Sequence, residues 1–386
     1  VHSLSLSLSL SLSLPTCLLI TDSSPTGTQD IVLDFLPGIS TSRLGNVPVD
    51  TLSTKDLTQP FFQILVRSFL RGAESQRVLV NSFDGLEAGA MEALRAKNVK
   101  MTPIGPTFGV GHKKDSPSLL DEAQSKCLLD KQAPKSVVYV AFGSAGFLSE
   151  EELRELAAAL EAFGRPFLWA IRDGSATESL PVSFRAGNLP TEKGLIVSWA
   201  PQKEVLGHAS VGAFVSHCGW NSLLESIWNG VPVVGCPRMA EQNTNMWLAQ
   251  EWGIGVAGVD TMMGGIGSVR STTLVNALQR VMGKVGVDES LTQVKLRKTL
   301  VEMAAAARAA ISPLGTSTLA FQEFVDELPQ LESPKINPNI SNINLYDNGT
   351  GLHSNITLND FIRANLAETS GPLQRKAACP HSFATI

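Results

Sequence analysis

Several things are missing from this sequence. Acidic and basic residues nearly balance, with 36 Asp and Glu against 31 Lys and Arg, so nothing offers a nucleic acid the basic excess it would need. No apolar run reaches the roughly 20 residues of a membrane-spanning helix. The five cysteines (Cys17, Cys127, Cys218, Cys236, Cys379) are scattered, odd in number and without metal-ligand spacing. Reduced thiols in a cytoplasmic protein are the simplest reading. A nicotinamide dehydrogenase would need Gly-x-Gly-x-x-Gly after a first strand, and Phe142-Gly143-Ser144-Ala145-Gly146 does not supply it.

The chain does have length and apolar content. Its 386 residues allow two domains, and 43% hydrophobic residues can build sizeable cores. Val1 is not a methionine, so the sequence reads as a fragment or a processed product. Ser3–Leu14 is six Ser-Leu repeats without a charged start, and residues 1–15 are set apart as low complexity rather than a signal peptide. In 16–135, Leu18–Ile20 reads as a strand leading to Asp22, Asp56–Arg71 as an amphipathic helix, Gln76–Ser82 as a strand and Phe83–Leu94 as a helix. Pro103-Ile104-Gly105-Pro106 punctuates a crossover, and Gly109–Gln124 reads as a polar loop.

From 136 to 328, strands and helices alternate. Val137–Phe142, Phe167–Ile171 and Leu195–Ser198 read as strands. Ser149–Phe163 reads as a helix that Ser149 caps, with acids in its first turn. Ala240–Trp252, Thr272–Met282, Leu291–Ala310 and Thr316–Leu328 are further helices, and Gly253–Val256 a short strand. This alternation argues for a doubly wound parallel sheet with ligands at the strand carboxyl ends. Residues 329–386 are rich in Asn, Ser and Pro and read as a mostly disordered tail, with a short helix at Leu358–Ala367. Its Asn-x-Ser/Thr triplets at Asn339, Asn348 and Asn355 are taken as chance.

The stretch from Trp199 to Gln242 organises the rest. Gly212–His217 is a β-branched and aromatic run ending in polar residues. Cys218–Ser222 is a turn, Leu223–Trp228 has apolar residues at helical spacing, Gly230 stops that helix, and Val231–Val234 is the next strand. A strand thus feeds a helix through a turn carrying His217, Asn221 and Ser222. Free N–H groups at such a helix start favour an anion, commonly a phosphate. Ser222 and Glu225 also fit a capping box, which by itself is an ordinary helix start.

Three segments of this stretch are Trp-Ala-Pro-Gln (199–202), His-Cys-Gly-Trp-Asn-Ser (217–222) and Glu-Gln (241–242). Their order and spacing strongly resemble the signature box of plant UDP-dependent glycosyltransferases. The resemblance covers roughly Pro15–Leu328, with a gap near Asp30–Phe35. It implies an α/β, GT-B-like fold of two Rossmann-like domains, the first (16–135) incomplete and the second (136–328) complete. It also implies transfer of a sugar, glucose by the Gln242 position, from a UDP-sugar to a small-molecule hydroxyl with inversion. The UDP-sugar is a co-substrate, and no metal or other cofactor is implied, in keeping with the absence of Asp-x-Asp.

Residue by residue, the resemblance assigns uracil stacking to Trp199, with backbone groups of Ala200 and Gln202 near the base. His217, Asn221 and Ser222 hold the diphosphate beside Trp220, with Ser144 joining from the first strand. Glu225 accepts from the ribose hydroxyls, and Glu241 and Gln242 read the sugar. Asp22 stands in the position that orients a catalytic histidine, but that histidine and its opening strand are not found. His2 lacks the context. The expectation is therefore an N-terminally truncated enzyme, or alternatively a UDP-sugar-binding fragment that does not turn over. Cys236 and Arg238-Met239 depart from the family pattern just before the sugar-reading pair. His208 reads as structural. A cytoplasmic monomer without nucleic-acid partners is expected.

Overall fold

The computed structural model describes residues 32–33, 42–43, 77–96, 100–108, 119–143, 148–171, 178–185, 189–190, 192–239, 241–260, 267–284 and 287–328. The expectations for 1–30, for Leu36-Pro37-Gly38, for the helix Asp56–Arg71 and for the tail 329–386 lie outside these residues. So do His2, Asp22 and Ser144.

The N-terminal part contains an antiparallel pair, β1 (Val32–Leu33) with β2 (Ser42–Arg43), and a parallel pair, β3 (Val78–Val80) with β4 (Met101–Pro103). Helix α1 (Asp84–Ala96) joins β3 to β4, kinks at Glu87 and buries Leu86, Ala90, Met91 and Leu94. These positions at helical spacing are why the segment folds as a helix. Pro103, read from the sequence as part of the crossover, is the last residue of β4, paired with Val80.

One expectation fails here. Part of the supposed loop Gly109–Gln124 belongs to α2 (Leu119–Asp130). Its apolar face is narrow: Leu128 and Leu129 are buried with Ser125 one turn earlier, among polar neighbours. Tertiary packing on the following sheet, not a strong periodic signal, makes it a helix.

That sheet has six strands, all parallel, in the order β10-β9-β8-β5-β6-β7. They are β5 (Val137–Ala141), β6 (Phe167–Ala170), β7 (Gly194–Val197), β8 (Val211–Ser216), β9 (Val233–Gly235) and β10 (Gly255–Ala257). Between them run α3 (Glu150–Phe163), α4 (Gln202–Leu206), α5 (Trp220–Asn229) and α6 (Gln242–Glu251). Then come α7 (Ser271–Met282), α8 (Leu291–Ala310) and α9 (Thr316–Glu327). All five residues of β5 are buried, as expected for a central strand covered on both faces. Val138, Val140, Phe167, Trp169, Ala213 and Val215 pack with Leu156 and Leu160 of α3 and Leu274 and Leu278 of α7. The alternate residues Val137, Tyr139, Leu168 and Phe214 pack with Leu128 and Leu129 of α2 and Val205 and Leu206 of α4. Each fully buried side chain of this size contributes about 1.5–3 kcal/mol.

Helix ends follow local chemistry. Ser149 caps α3 in a capping box with Glu152, and Gly164 ends the helix at φ 71°. Ser290 and Gln293 do the same at the start of α8. Helix α9 crosses back to the N-terminal part, where Ser317 Oγ donates to the Gly105 carbonyl at 2.6 Å and Arg77 pairs with Glu327 at 2.7 Å. Among the described residues no helix is long and apolar enough to cross a membrane.

Candidate functional site

Ligand crevices in open parallel sheets lie beyond the strand carboxyl ends where strand order reverses. Here the chain builds β5, β6 and β7 outward and then returns to place β8 on the other side of β5. The reversal therefore falls between β5 and β8. Gly143 follows β5 and His217 follows β8, and they touch. A Cβ on Gly143 would stand 2.7 Å from His217 Nε2, and one on Gly219 would stand 2.5 Å from it. Two glycines thus make the cradle in which the imidazole sits, and Gly143 also needs its positive φ of 70°.

His217 is half-buried, and its Nδ1 has neither solvent contact nor a hydrogen-bond partner. Burial pushes its pKa down to about 4, against a smaller upward pull from the nearby Ala141 backbone. The ring is neutral at pH 7.

The turn after β8 is built by Cys218 in a left-handed conformation, φ 62°. Such a conformation costs on the order of 1 kcal/mol in a non-glycine residue. Two hydrogen bonds hold it: Cys218 N donates to Ser216 Oγ at 3.1 Å, and Asn245 Nδ2 donates to the Cys218 carbonyl at 2.9 Å. Burial pushes the Cys218 thiol well up and that of Cys236 up to about 12, so both are inert.

Helix α5 then begins at Trp220 with Gly219 as its N-cap. No side chain caps this end, and its first turn holds no acid. The capping box that Ser222 and Glu225 could form is absent, because Gly219 and not Ser222 is the N-cap and the helix starts three residues earlier than that pattern requires. The first N–H groups of α5 have no intrahelical partners and stand open to another acceptor.

Around this helix start the structure brings several candidates together. Asn221 is exposed, Ser222 is buried and Glu225 is half-buried. Gln202, at the start of α4, donates from Nε2 to Ser222 Oγ at 2.9 Å and to Glu225 Oε2 at 2.7 Å. Trp199 is half-buried just before α4, and Ala200 is buried in the core. Trp220 is different: its ring is 4% exposed, packed in the core, and its Nε1 donates to the Asn81 carbonyl at 2.7 Å. Its side chain is an anchor, and only its main chain belongs to the open helix start.

The loop after β9 carries Glu241 and Gln242. Gln242 is buried, and its Oε1 accepts from Arg238 N at 2.8 Å and Met239 N at 3.1 Å. The loop is tied down by Arg238, which pairs with Glu152 of α3 and donates to the Gly267 carbonyl at 2.8 Å. Burial alone would raise the Glu152 pKa. The Ser149 N–H, the Arg238 guanidinium and the Val269 N–H hold it below the usual carboxylate range. His208 lies elsewhere, between Ser210 Oγ at 2.8 Å and Asp130 Oδ1 at 3.1 Å.

Sequence reasoning missed Asn81 and the Arg238–Glu152 pair. Arg238 stood out only as a departure, and its partner lies 86 positions away. Among the described residues no group of His, Cys, Asp and Glu is arranged to hold a metal ion.

The family model for UDP-glucoronosyl and UDP-glucosyl transferase matches residues 121–293, the stretch that builds this sheet and site. The solved structure of Phytolacca americana UGT2 complexed with UDP-2fluoro-glucose and pterostilbene is 31% identical, with a TM-score of 0.68 over 84% of this chain and 69% of that one. This chain belongs to the UDP-glycosyltransferase family. A UDP-glucose:anthocyanidin 3-O-glucosyltransferase solved in complex with UDP matches at a TM-score of 0.72 and 28% identity, over 85% of this chain and 69% of that one. A flavonol 3-O-glucosyltransferase of Actinidia chinensis var. chinensis is 34% identical over 320 residues, or 82% of this chain. This chain spans 66% of that relative's length. The GT-B-like, α/β architecture expected from the sequence agrees with these neighbours.

Proposed function

We propose that this chain binds a UDP-sugar at the β5–β8 crevice and transfers the sugar, glucose by the Gln242 position, to a hydroxyl of a small-molecule acceptor. The observation that carries this reading is the open start of α5, set beside a neutral imidazole at the switch point of the sheet. A diphosphate supplies the acceptor oxygens that these N–H groups lack. Asn221, Ser222 and His217 add side-chain donors, and Ser144 follows the neighbouring strand. Trp199 covers the uracil, with main-chain groups of Ala200 and Gln202 at its edge. Glu225, already oriented by Gln202, takes the ribose hydroxyls. The Gln242 carbonyl is committed to the Arg238–Met239 loop, so its amide nitrogen is the group that meets the sugar, beside Glu241.

In the reaction, the acceptor oxygen attacks the anomeric carbon and loses its proton to a base. The bond from that carbon to the phosphate oxygen breaks, and UDP leaves with the electron pair. Attack opposite the leaving group inverts the configuration. Donors fixed where leaving-group charge develops stabilise that state, which gives helix α5 and His217 the part a metal ion would otherwise take. The reading extends to a cytoplasmic monomer with no nucleic-acid partner, the last supported by the absence of a basic excess.

A second reading is donor binding without turnover. It is favoured by one observation: the described histidines are His208, held by Asp130 and Ser210, and His217, whose low pKa suits a donor contact. Calorimetry with UDP and turnover of UDP-glucose on a panel of phenols test both. UDP binding with glucoside formation supports transfer, binding alone supports the second reading, and no binding removes both.

A further inference from the structure

We infer that Asn81, a residue of the N-terminal part, is a positioning residue for the donor diphosphate, acting through Asn221. The inference rests on the donor reading above. Asn81 directly follows β3 and is 5% exposed. Its Oδ1 accepts from Thr107 N at 2.7 Å. A backbone N–H can only donate, so the amide orientation of Asn81 is fixed by this bond. Its Nδ2 must then face Asn221, and it donates to Asn221 Oδ1 at 3.2 Å.

The orientation passes on. With Oδ1 of Asn221 occupied by a donor, the exposed Asn221 keeps its own NH2 as the group it offers to a ligand. A flipped Asn221 would set two donors against each other and turn an oxygen towards the phosphate charge. Asn81 holds the neighbouring residue as well, because Trp220 Nε1 donates to its carbonyl at 2.7 Å. One residue thus fixes both the first and second positions of α5. The arrangement has no slack at the crossover, where a Cβ on Gly105 would lie 2.5 Å from Asn81 Oδ1. The crossover between the two parts of the chain thereby sets the polarity of a donor contact.

The test is calorimetry of the full chain with UDP and with uridine, which lacks the phosphates. Asn81→Ala and Asn221→Ala are each expected to weaken UDP about tenfold, the scale of one hydrogen bond to a charged group. The double variant should be no weaker than Asn221→Ala alone, because both changes remove the same contact. Uridine affinity should stay within about twofold, the ordinary scatter between uncoupled sites. Asn81→Asp keeps the acceptor for Thr107 N–H and nearly the same shape, but it places an oxygen against Asn221 Oδ1. It should weaken UDP at least as much as Asn81→Ala, and it carries the test if the alanine variant does not fold. Equal losses for UDP and uridine would overturn the inference in favour of a merely structural role. So would additive losses in the double variant, or UDP affinity unchanged by Asn81→Ala. Failure of the unmodified chain to bind UDP is a separate result, which overturns the donor reading itself and the inference with it.

Discussion

Replacing His217 with Gln tests the electrostatics of the site most directly. The imidazole is desolvated in its glycine cradle, with a pKa of about 4 in the folded chain against 6.5 for an ordinary histidine. The folded state resists a proton that the unfolded chain accepts. This contribution to stability is therefore complete above pH 6.5 and is lost as the pH falls towards 4. At pH 5 the unfolded imidazole is protonated about 30 to 1 and the folded one about 1 to 10, a differential of about 2 kcal/mol. Carboxylates and other histidines titrate in the same range, so the quantity to measure is the difference between two proteins. Urea unfolding of the unmodified chain and of His217→Gln at pH 7 and pH 5 supplies it. The unmodified chain should lose about 2 kcal/mol more than the variant on acidification. Parallel losses in the two proteins would show that the ring is solvated, and the neutral-imidazole picture of the donor site would fall.

Other consequences are equally direct. Gly219→Ala keeps an allowed backbone (φ −59°, ψ 145°) but puts a methyl 2.5 Å from His217 Nε2. UDP affinity should fall about tenfold or more while the loss at the N-cap stays within about 1 kcal/mol, read by calorimetry and thermal unfolding. Trp199→Ala should cost about 1–3 kcal/mol of UDP binding if the indole stacks on uracil, with loss of ligand-induced fluorescence quenching; an unchanged affinity rules the stacking out. Glu225→Ala should weaken UDP and uridine alike, about tenfold, and leave competition by inorganic diphosphate unchanged. Arg238→Met leaves the half-buried Glu152 carboxylate without its cation and should destabilise the fold by about 1–3 kcal/mol in urea unfolding. Pairing it with Glu152→Gln should recover a large part, because no unpaired charge is then left in the half-buried position.

Apart from the short helix α4, which the sequence did not announce, the order of elements from Val137 to Glu327 was readable because each carries its own local cause. The strands are short apolar runs, the helices have apolar residues at helical spacing, and Ser149, Gly164 and Gly230 mark helix ends with side-chain or left-handed chemistry that needs no distant partner. Helix α2 was not readable, since its narrow apolar face becomes a signal only when a sheet lies against it. The same division runs through the site. Trp199, His217, Asn221 and Glu225 stand in a dense motif whose spacing along the chain carries the information.

What sequence alone determined, then, was the family and most of the strand–helix alternation, and it supplied the residues proposed to meet a nucleotide sugar. Tertiary structure decided how those groups are held. It brought Gly143 against His217 and removed water from the ring, started α5 at Trp220 so that no box closes over its N–H groups, set Gln202 between Ser222 and Glu225, buried Arg238 on Glu152, and made Asn81 the support of Asn221 from 140 positions away. The physical reason is that desolvation, amide orientation and buried charge pairing depend on which atoms meet across the fold, and local pattern contains no record of that.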